Sequence, residues 1–345
     1  MRTLVTGHKG YLGYHVVADL LAAGHSVRGI DADWFRACDF PNYPSDQAVR
    51  AIPAITKDIR LLEAKDLEGH DVIIHLAGLS NDPLGDLDPE LTFEINHKAS
   101  VRLARQAKSA GVSRMVLASS CSVYGAGGED MIDENALLRP QTPYARSKLD
   151  METDIASLAG EGFCPVFLRG GTIYGLSPRI RFDLVVNNLA AWAIATGRVL
   201  LKSDGRAWRP LTHVRDMASA FAAMLEQPVG KIRGQAYNVA ITSQNFRIVE
   251  IARLIEAHLP ECRIEFQHAG NRDTRNYRVS GEKLTRQLGV GWHRFDLEAG
   301  VVELLGELAR TKIAPGDFEG SRFQRLAHLQ KLMEQGKLDR NLFPA

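Results

Sequence analysis

The sequence predicts an α/β fold, a doubly wound parallel (Rossmann-type) sheet carrying a smaller C-terminal α/β unit, and three observations predict it. A short β-branched run, Arg2–Thr6, enters glycines spaced G-x-x-G-x-x-G where helical periodicity begins. Apolar runs then alternate with helical stretches as far as residue 169, the pattern of a parallel sheet covered on both faces. Beyond Gly175 the alternation becomes irregular, as expected of a second unit.

Taken in order, Gly10 to Ala23 has helical periodicity and stops at Gly24, a residue suited to the turn that ends a helix. Ser26–Asp31 reads as the second strand, and a loop with Pro41, Pro44 and Pro53 leads to a third at Ala54–Ile59. Asp71–Ala77 (DVIIHLA) is a continuous apolar run typical of a buried central strand, followed by a long helix over Pro89–Ala110. Arg114–Ser119 and Pro165–Arg169 are further strands, separated by a helix over Pro143–Ala159. Helices near Asp183–Thr196, Met217–Glu226, Arg247–His258 and Gly281–Gly289, a strand Gln235–Ala240 and a helical tail from Phe323 to Leu342 complete the chain. The expected division is 1–171 and 172–345, with some later elements returning to the first unit.

Composition narrows the function. With 345 residues, 45% hydrophobic and 24% charged, the chain reads as an ordinary globular enzyme. A net charge of +1 gives no reason to expect nucleic acid or an anionic membrane as partner. The four cysteines, Cys38, Cys121, Cys164 and Cys262, lack metal-ligand spacing, so no metal is expected and a reducing compartment is. The run MRTLVTGHKG reads as a strand entering a glycine loop, so neither a secretory leader nor a membrane span is expected, and the location expected is cytoplasmic.

The glycine loop, Thr6 to Gly13, has the properties a pyrophosphate needs: a tight turn, close backbone approach, and a helix opening towards negative charge. Asp31, ending the second strand, can accept hydrogen bonds from an adenosine ribose and repels a 2′-phosphate, which favours NAD. Lys9, a cation inside the loop, is the opposing signal for NADP. Further on, PYARSK places Tyr144 and Lys148 one turn apart on a helix opened by Pro143. Alone, that spacing suits an acid/base pair or a packed tyrosine beside a solvated lysine.

The glycine loop, His75-Leu76-Ala77-Gly78, Asn96, Ser119–Gly125 (SSCSVYG) and Tyr144-x-x-x-Lys148 occur in one order. Together they resemble the extended short-chain dehydrogenase/reductase family, in its nucleotide-sugar epimerase/dehydratase branch, over residues 3 to about 216. The resemblance implies that Gly7, Gly10, Tyr11, Leu12 and Gly13 hold the pyrophosphate of NAD and Asp31 the ribose. It places Asp58 and Ile59 beside the adenine, Leu76, Ala77 and Gly78 along the cofactor, and Asn96 on the helix that follows. Ser120, Tyr144 and Lys148 take the catalytic positions, and Tyr144 and Lys148 also touch the cofactor. A free phenol, with pKa about 10, is a poor base at neutral pH, so Lys148 and an oxidised nicotinamide are expected to depress it. Arg209 and Arg275 match positions contacting a nucleotide diphosphate, for which guanidinium offers a fixed fork of donors. Ser120, Thr172, Arg181 and Asn187 are further substrate candidates. Arg179 and Arg181 also suit a solvated basic loop, and Asn187 and Asn188 suit capping. The run FQRLAHLQKLMEQGKLDRNLF reads as an amphipathic cap.

The positions after Ser120, where dehydratases of this branch carry Asp-Glu, are Cys121 and Ser122. Gly170-Gly171-Thr172 replaces an aromatic pair and an asparagine found in many relatives. The function expected is therefore NAD-dependent epimerisation of a nucleotide-diphosphate sugar, most plausibly at C4 through a keto-sugar, in a homodimer formed by the helices over 89–110 and 143–159. The alternative is an NAD(P)H-dependent reductase of a keto-sugar; a 4,6-dehydratase or a non-catalytic dinucleotide sensor rank lower.

Overall fold

Seven parallel strands organise the chain, in a computed structural model that describes residues 1–41, 43, 46–267 and 276–345. The first six are β1 (Arg2–Thr6), β2 (Ser26–Asp31), β3 (Ala54–Thr56), β4 (Val72–His75), β5 (Arg114–Ser120) and β6 (Cys164–Gly170). Strands β7 (Thr172–Tyr174) and β8 (Trp208–His213) leave this sheet and pair with each other; β9 (Ala236–Val239) returns to its edge. The order is β9-β6-β5-β4-β1-β2-β3. The chain thus leaves β1 towards β2 and β3, then crosses back to β4, and the carboxyl ends of β1 and β4 part where the winding reverses.

The strands are apolar throughout because both faces are covered. In β4, Ile73 joins one cluster and Val72 and Ile74 the other; in β1, Leu4 and Val5 divide the same way. On one face lie α1 (Gly13–Ala22), with Val16, Val17 and Leu20, and α5 (Val214–Ala223), with Ala218 and Phe221. On the other lie α2, which runs through Pro89–Phe93, a π-helical turn Glu94–Ala99 and Ser100–Ser109, and α3 (Pro143–Ala156). A third cluster joins α4 (Val185–Thr196), α6 (Ile248–His258) and α7 (Leu297–Thr311). The last helix, α8 (Arg325–Glu334), sends Leu329 into the cluster shared by Leu4 and Ile30.

Several expected boundaries move for local reasons. The first helix starts at Gly13 rather than Gly10, because residues 7–10 close a turn from Gly10 N to Gly7 O at 3.0 Å. The third strand stops at Thr56, because the Asp58 carboxylate accepts from the amide of Arg60 at 2.8 Å and caps a 3₁₀ turn, Ile59–Leu61. The tail is helical only as far as Glu334; Gly336, at φ +65°, turns it, and Leu338 bridges to Pro344.

Candidate active site

A cleft opens over the parted ends of β1 and β4, about 1330 Å³ of open space with its solvent mouth included. Its floor is the glycine loop, and two glycines there are irreplaceable on geometry. A Cβ on Gly7, which has φ +76°, would stand 2.7 Å from the amide nitrogen of Ala77, and one on Gly13 would stand 2.2 Å from the carbonyl of Gly7. Gly10, Tyr11 and Leu12 line the same floor, and Leu76, Ala77 and Gly78 line the wall from β4. A cradle of bare backbone at a helix opening fits the pyrophosphate of a dinucleotide.

At one end stands Asp31, on the carboxyl end of β2. One carboxylate oxygen accepts from the amide of Lys9 at 2.9 Å and the other from the amide of Asp33 at 2.8 Å. The Lys9 ammonium, the signal for a 2′-phosphate, is held by Asp33 at 2.7 Å. Asp58 and Ile59 line this end too, and Asp58 is gripped by Arg60, whose Nε and Nη2 reach its two oxygens at 3.0 and 2.7 Å.

At the other end stand Tyr144 and Lys148, buried on the first turns of α3, which Pro143 opens and Thr142 caps by accepting from the amide of Ala145 at 3.1 Å. The Lys148 ammonium donates to the carbonyl of Ala118 at 2.9 Å and lies 5.9 Å from the Tyr144 ring centre. Burial pulls its pKa down to about 8, against the pull of Glu152. The expected depression of the Tyr144 phenol is corrected here. Burial pushes it up to about 12, the hydrogen bond with Ser120 only partly opposing, so the protein alone holds it protonated. The Ser120 hydroxyl also accepts from the amide and hydroxyl of Ser122, at 3.1 and 2.9 Å. Cys121 is wholly buried against the carbonyl of Arg169, and burial drives its thiol above the usual range, favouring the neutral thiol.

The remaining candidates divide. Arg181 lines the cleft, its Nη1 donating to Ser80 Oγ at 2.9 Å and its Nε and Nη2 clasping Asp183 at 3.0 and 2.7 Å. With Arg179 it belongs to a buried segment, not a solvated loop, because Ser177 donates to the carbonyl of Tyr11 at 2.8 Å and His15 reaches that of Leu176 at 2.8 Å. Asn96 and Asn187 lie beneath the surface. Asn96 exchanges two bonds with the backbone of Leu79 and so fixes the turn after β4, while Asn187 donates to the carbonyl of Arg181 at 2.9 Å and accepts from the amide of Gly175 at 2.9 Å. Asn187 therefore does not reach the cleft, its amide being consumed in holding the segment. Thr172, on β7, and the buried Arg209, on β8, do not line it either. Arg275 lies outside the described residues. Trp34, Phe35 and Arg325 line the cleft without any signal in the sequence; Arg325 corrects the reading of the tail as a mere cap. Among the described residues, no cluster of His, Cys, Asp and Glu is arranged to hold a metal, and no helix is long and apolar enough to cross a membrane.

The model of the NAD dependent epimerase/dehydratase family matches residues 3–240. A UDP-glucose 4-epimerase of Mycolicibacterium smegmatis is 30% identical over 248 residues, 69% of this chain and 77% of that protein. The crystal structure of a UDP-glucose-4-epimerase from Stenotrophomonas maltophila, with bound NAD and formylated UDP-arabinopyranose, is 26% identical with a TM-score of 0.75, over 90% of this chain and 98% of that one. An NAD-dependent NDP-hexosamine 5,6-dehydratase of tunicamycin biosynthesis, at 23% identity and a TM-score of 0.77, shares the fold over 90% of this chain and 98% of its own.

Proposed function

We propose that this chain, which belongs to the NAD-dependent epimerase/dehydratase family and is an enzyme of the extended short-chain dehydrogenase/reductase type, inverts C4 of a nucleotide-diphosphate sugar by oxidising it to a keto-sugar and reducing it again. The observation that carries this reading is the composition of the reacting end. It offers a phenol, a hydroxyl and an ammonium, while among the described residues the acids lining the cleft, Asp31 and Asp58, stand at the other end. Such a set can move one proton on and off a sugar oxygen, but it lacks the second acid/base group that elimination of water requires. Similarity to 4-epimerases supports C4 and a UDP-linked sugar.

In this reading, NAD bound along the glycine loop supplies the hydride acceptor and donor, and the positive charge of its oxidised ring favours the phenolate. Tyr144 Oη takes the proton of the sugar hydroxyl and later returns it. Ser120 Oγ holds that oxygen within reach of Tyr144. Lys148, fixed on Ala118, presents its charge beneath the phenol and to the cofactor ribose. Asp31, its carboxylate already oriented by two backbone amides, accepts from the adenosine ribose. We assign residues 1–171 chiefly to the cofactor and 172–345 chiefly to the sugar nucleotide, and expect a homodimer through α2 and α3.

The test is to denature the purified protein, identify the released nucleotides by mass spectrometry, and then follow UDP-glucose by NMR with no added cofactor. Near-stoichiometric NAD and accumulation of the C4 epimer are expected. An empty protein that turns over a keto-sugar only while consuming NADH or NADPH would make it a reductase.

A further inference from the structure

Arg325 lies outside the family-matched residues 3–240, yet it lines the cofactor cleft beside Trp34, Phe35 and Asp31. Its side chain is buried, the residue being 3% exposed. Nη2 donates to the carbonyl of Arg179 at 2.7 Å, and the guanidinium lies 4.4 Å over the Phe35 ring. Among the described residues, Nη1 is buried without a hydrogen-bond partner. Asp183 attracts this arginine, but both oxygens of that carboxylate are already clasped by Arg181. Arg179 and Arg181 repel it. Burial draws its pKa down only to about 10, so the group is a cation at neutral pH. Among the described residues the side chain beside it is the Cys38 thiol, a weak acceptor, and a buried cationic donor so poorly matched is costly unless a ligand supplies a better partner.

We propose that Arg325 Nη1 binds a phosphate oxygen of the dinucleotide pyrophosphate, so that the C-terminal helix completes the cofactor cleft and retains the cofactor between half-reactions. The inference rests on the placement of NAD in this cleft. The anchorage of the tail argues for the dinucleotide over the diphosphate of the sugar nucleotide. Arg322 donates to the carbonyl of Asp39 at 2.7 Å, and His328 Nε2 lies 3.0 Å from that of Trp34. Phe343 lies 3.8 Å beneath the guanidinium of Arg60, the residue that grips Asp58. The tail is thus fastened to the segments that follow β2 and β3, the side on which Asp31 stands.

The experiment measures binding of NAD, ADP-ribose, adenosine and UDP by calorimetry to nucleotide-free full-length protein, and the rate at which NAD leaves the loaded protein, for wild type, R325Q and R325K. R325Q is expected to weaken NAD and ADP-ribose by about tenfold or more, and to speed NAD release to match, with adenosine and UDP unchanged. R325K, a cation without the fork, is expected to fall between. Equal weakening of adenosine, a loss confined to UDP, or no change in any ligand would overturn the proposal; if R325Q does not fold, R325K decides on the same ligands. A wild-type protein that fails to bind NAD would overturn the placement of the cofactor itself, and shows before any variant is compared.

Discussion

At the end of the cleft that holds Tyr144 and Lys148, two titratable groups stand buried and, among the described residues, without an opposite charge in contact, and burial pushes each towards its neutral form. At the end that holds Asp31, charges face each other in pairs: Arg60 with Asp58 and Arg179 with Asp33 in buried positions, Lys9 with Asp33 half-buried, and Arg179 with the exposed Asp39. The difference follows from where the side chains come from. The reacting groups sit on β5 and α3, packed against the sheet and α2. The Asp31 end is built from loops after β2 and β3 and from a tail some three hundred residues away in sequence, so charge and backbone bonds must hold it. In the proposed reading, desolvation thus sets the chemistry at one end and pairing holds the cofactor at the other.

Substitutions should separate the two. Y144F removes the proton carrier and leaves the ring, Lys148 and the glycine loop in place; turnover is expected to fall by about 10² to 10⁴-fold with little change in the NAD content of the purified protein. A parallel loss of NAD would show that the ends are not independent. The next largest effect lies behind the reacting groups. Glu152 is clasped by Arg169 through Nε and Nη2 and accepts from Ser119, and Arg169 reaches the Tyr124 hydroxyl at 3.0 Å. Both charges are buried, so E152Q leaves Arg169 uncompensated and is expected to cost about 3–5 kcal/mol of unfolding free energy in denaturant titrations. At the opposite end D31N should cost less, weakening NAD by about tenfold and narrowing its advantage over NADP. An unchanged preference would mean that Asp31 does not face the ribose.

The same contrast explains what could be read from the sequence. Parallel strands declare themselves because both faces are apolar, and the glycine loop and Tyr144-x-x-x-Lys148 because their spacing is local. Arg325 has no such sign. Its helix carries ordinary amphipathic periodicity, and only the return of the tail across Trp34 and Phe35 turns two polar residues, Arg325 and His328, inward. Asn187 failed in the opposite sense: a polar residue in a promising segment, it is consumed in holding Gly175 and Arg181. Lys148 was visible, but the sign of its neighbour's shift was not, because burial depth is a property of the folded whole.

That sign gives the most specific effect. The folded pKa of Lys148 lies near 8, below the 10.5 of an ordinary lysine, so between those pH values the unfolded chain binds the proton that the folded chain has lost. Stability from this residue therefore rises with pH from about 8 to 10.5, by at most ~1.4 kcal/mol per pH unit. Tyr144 acts in the opposite sense. Its folded pKa near 12 exceeds the ordinary 10, so its contribution is intact below pH 10 and is lost as pH climbs towards 12. K148M removes the first dependence and leaves the second. Unfolding of wild type and K148M between pH 7.5 and 10 should show wild type gaining on the variant as pH rises. If the gap stays constant, Lys148 is not desolvated, and its charge is held in the folded protein as firmly as the paired charges at the other end.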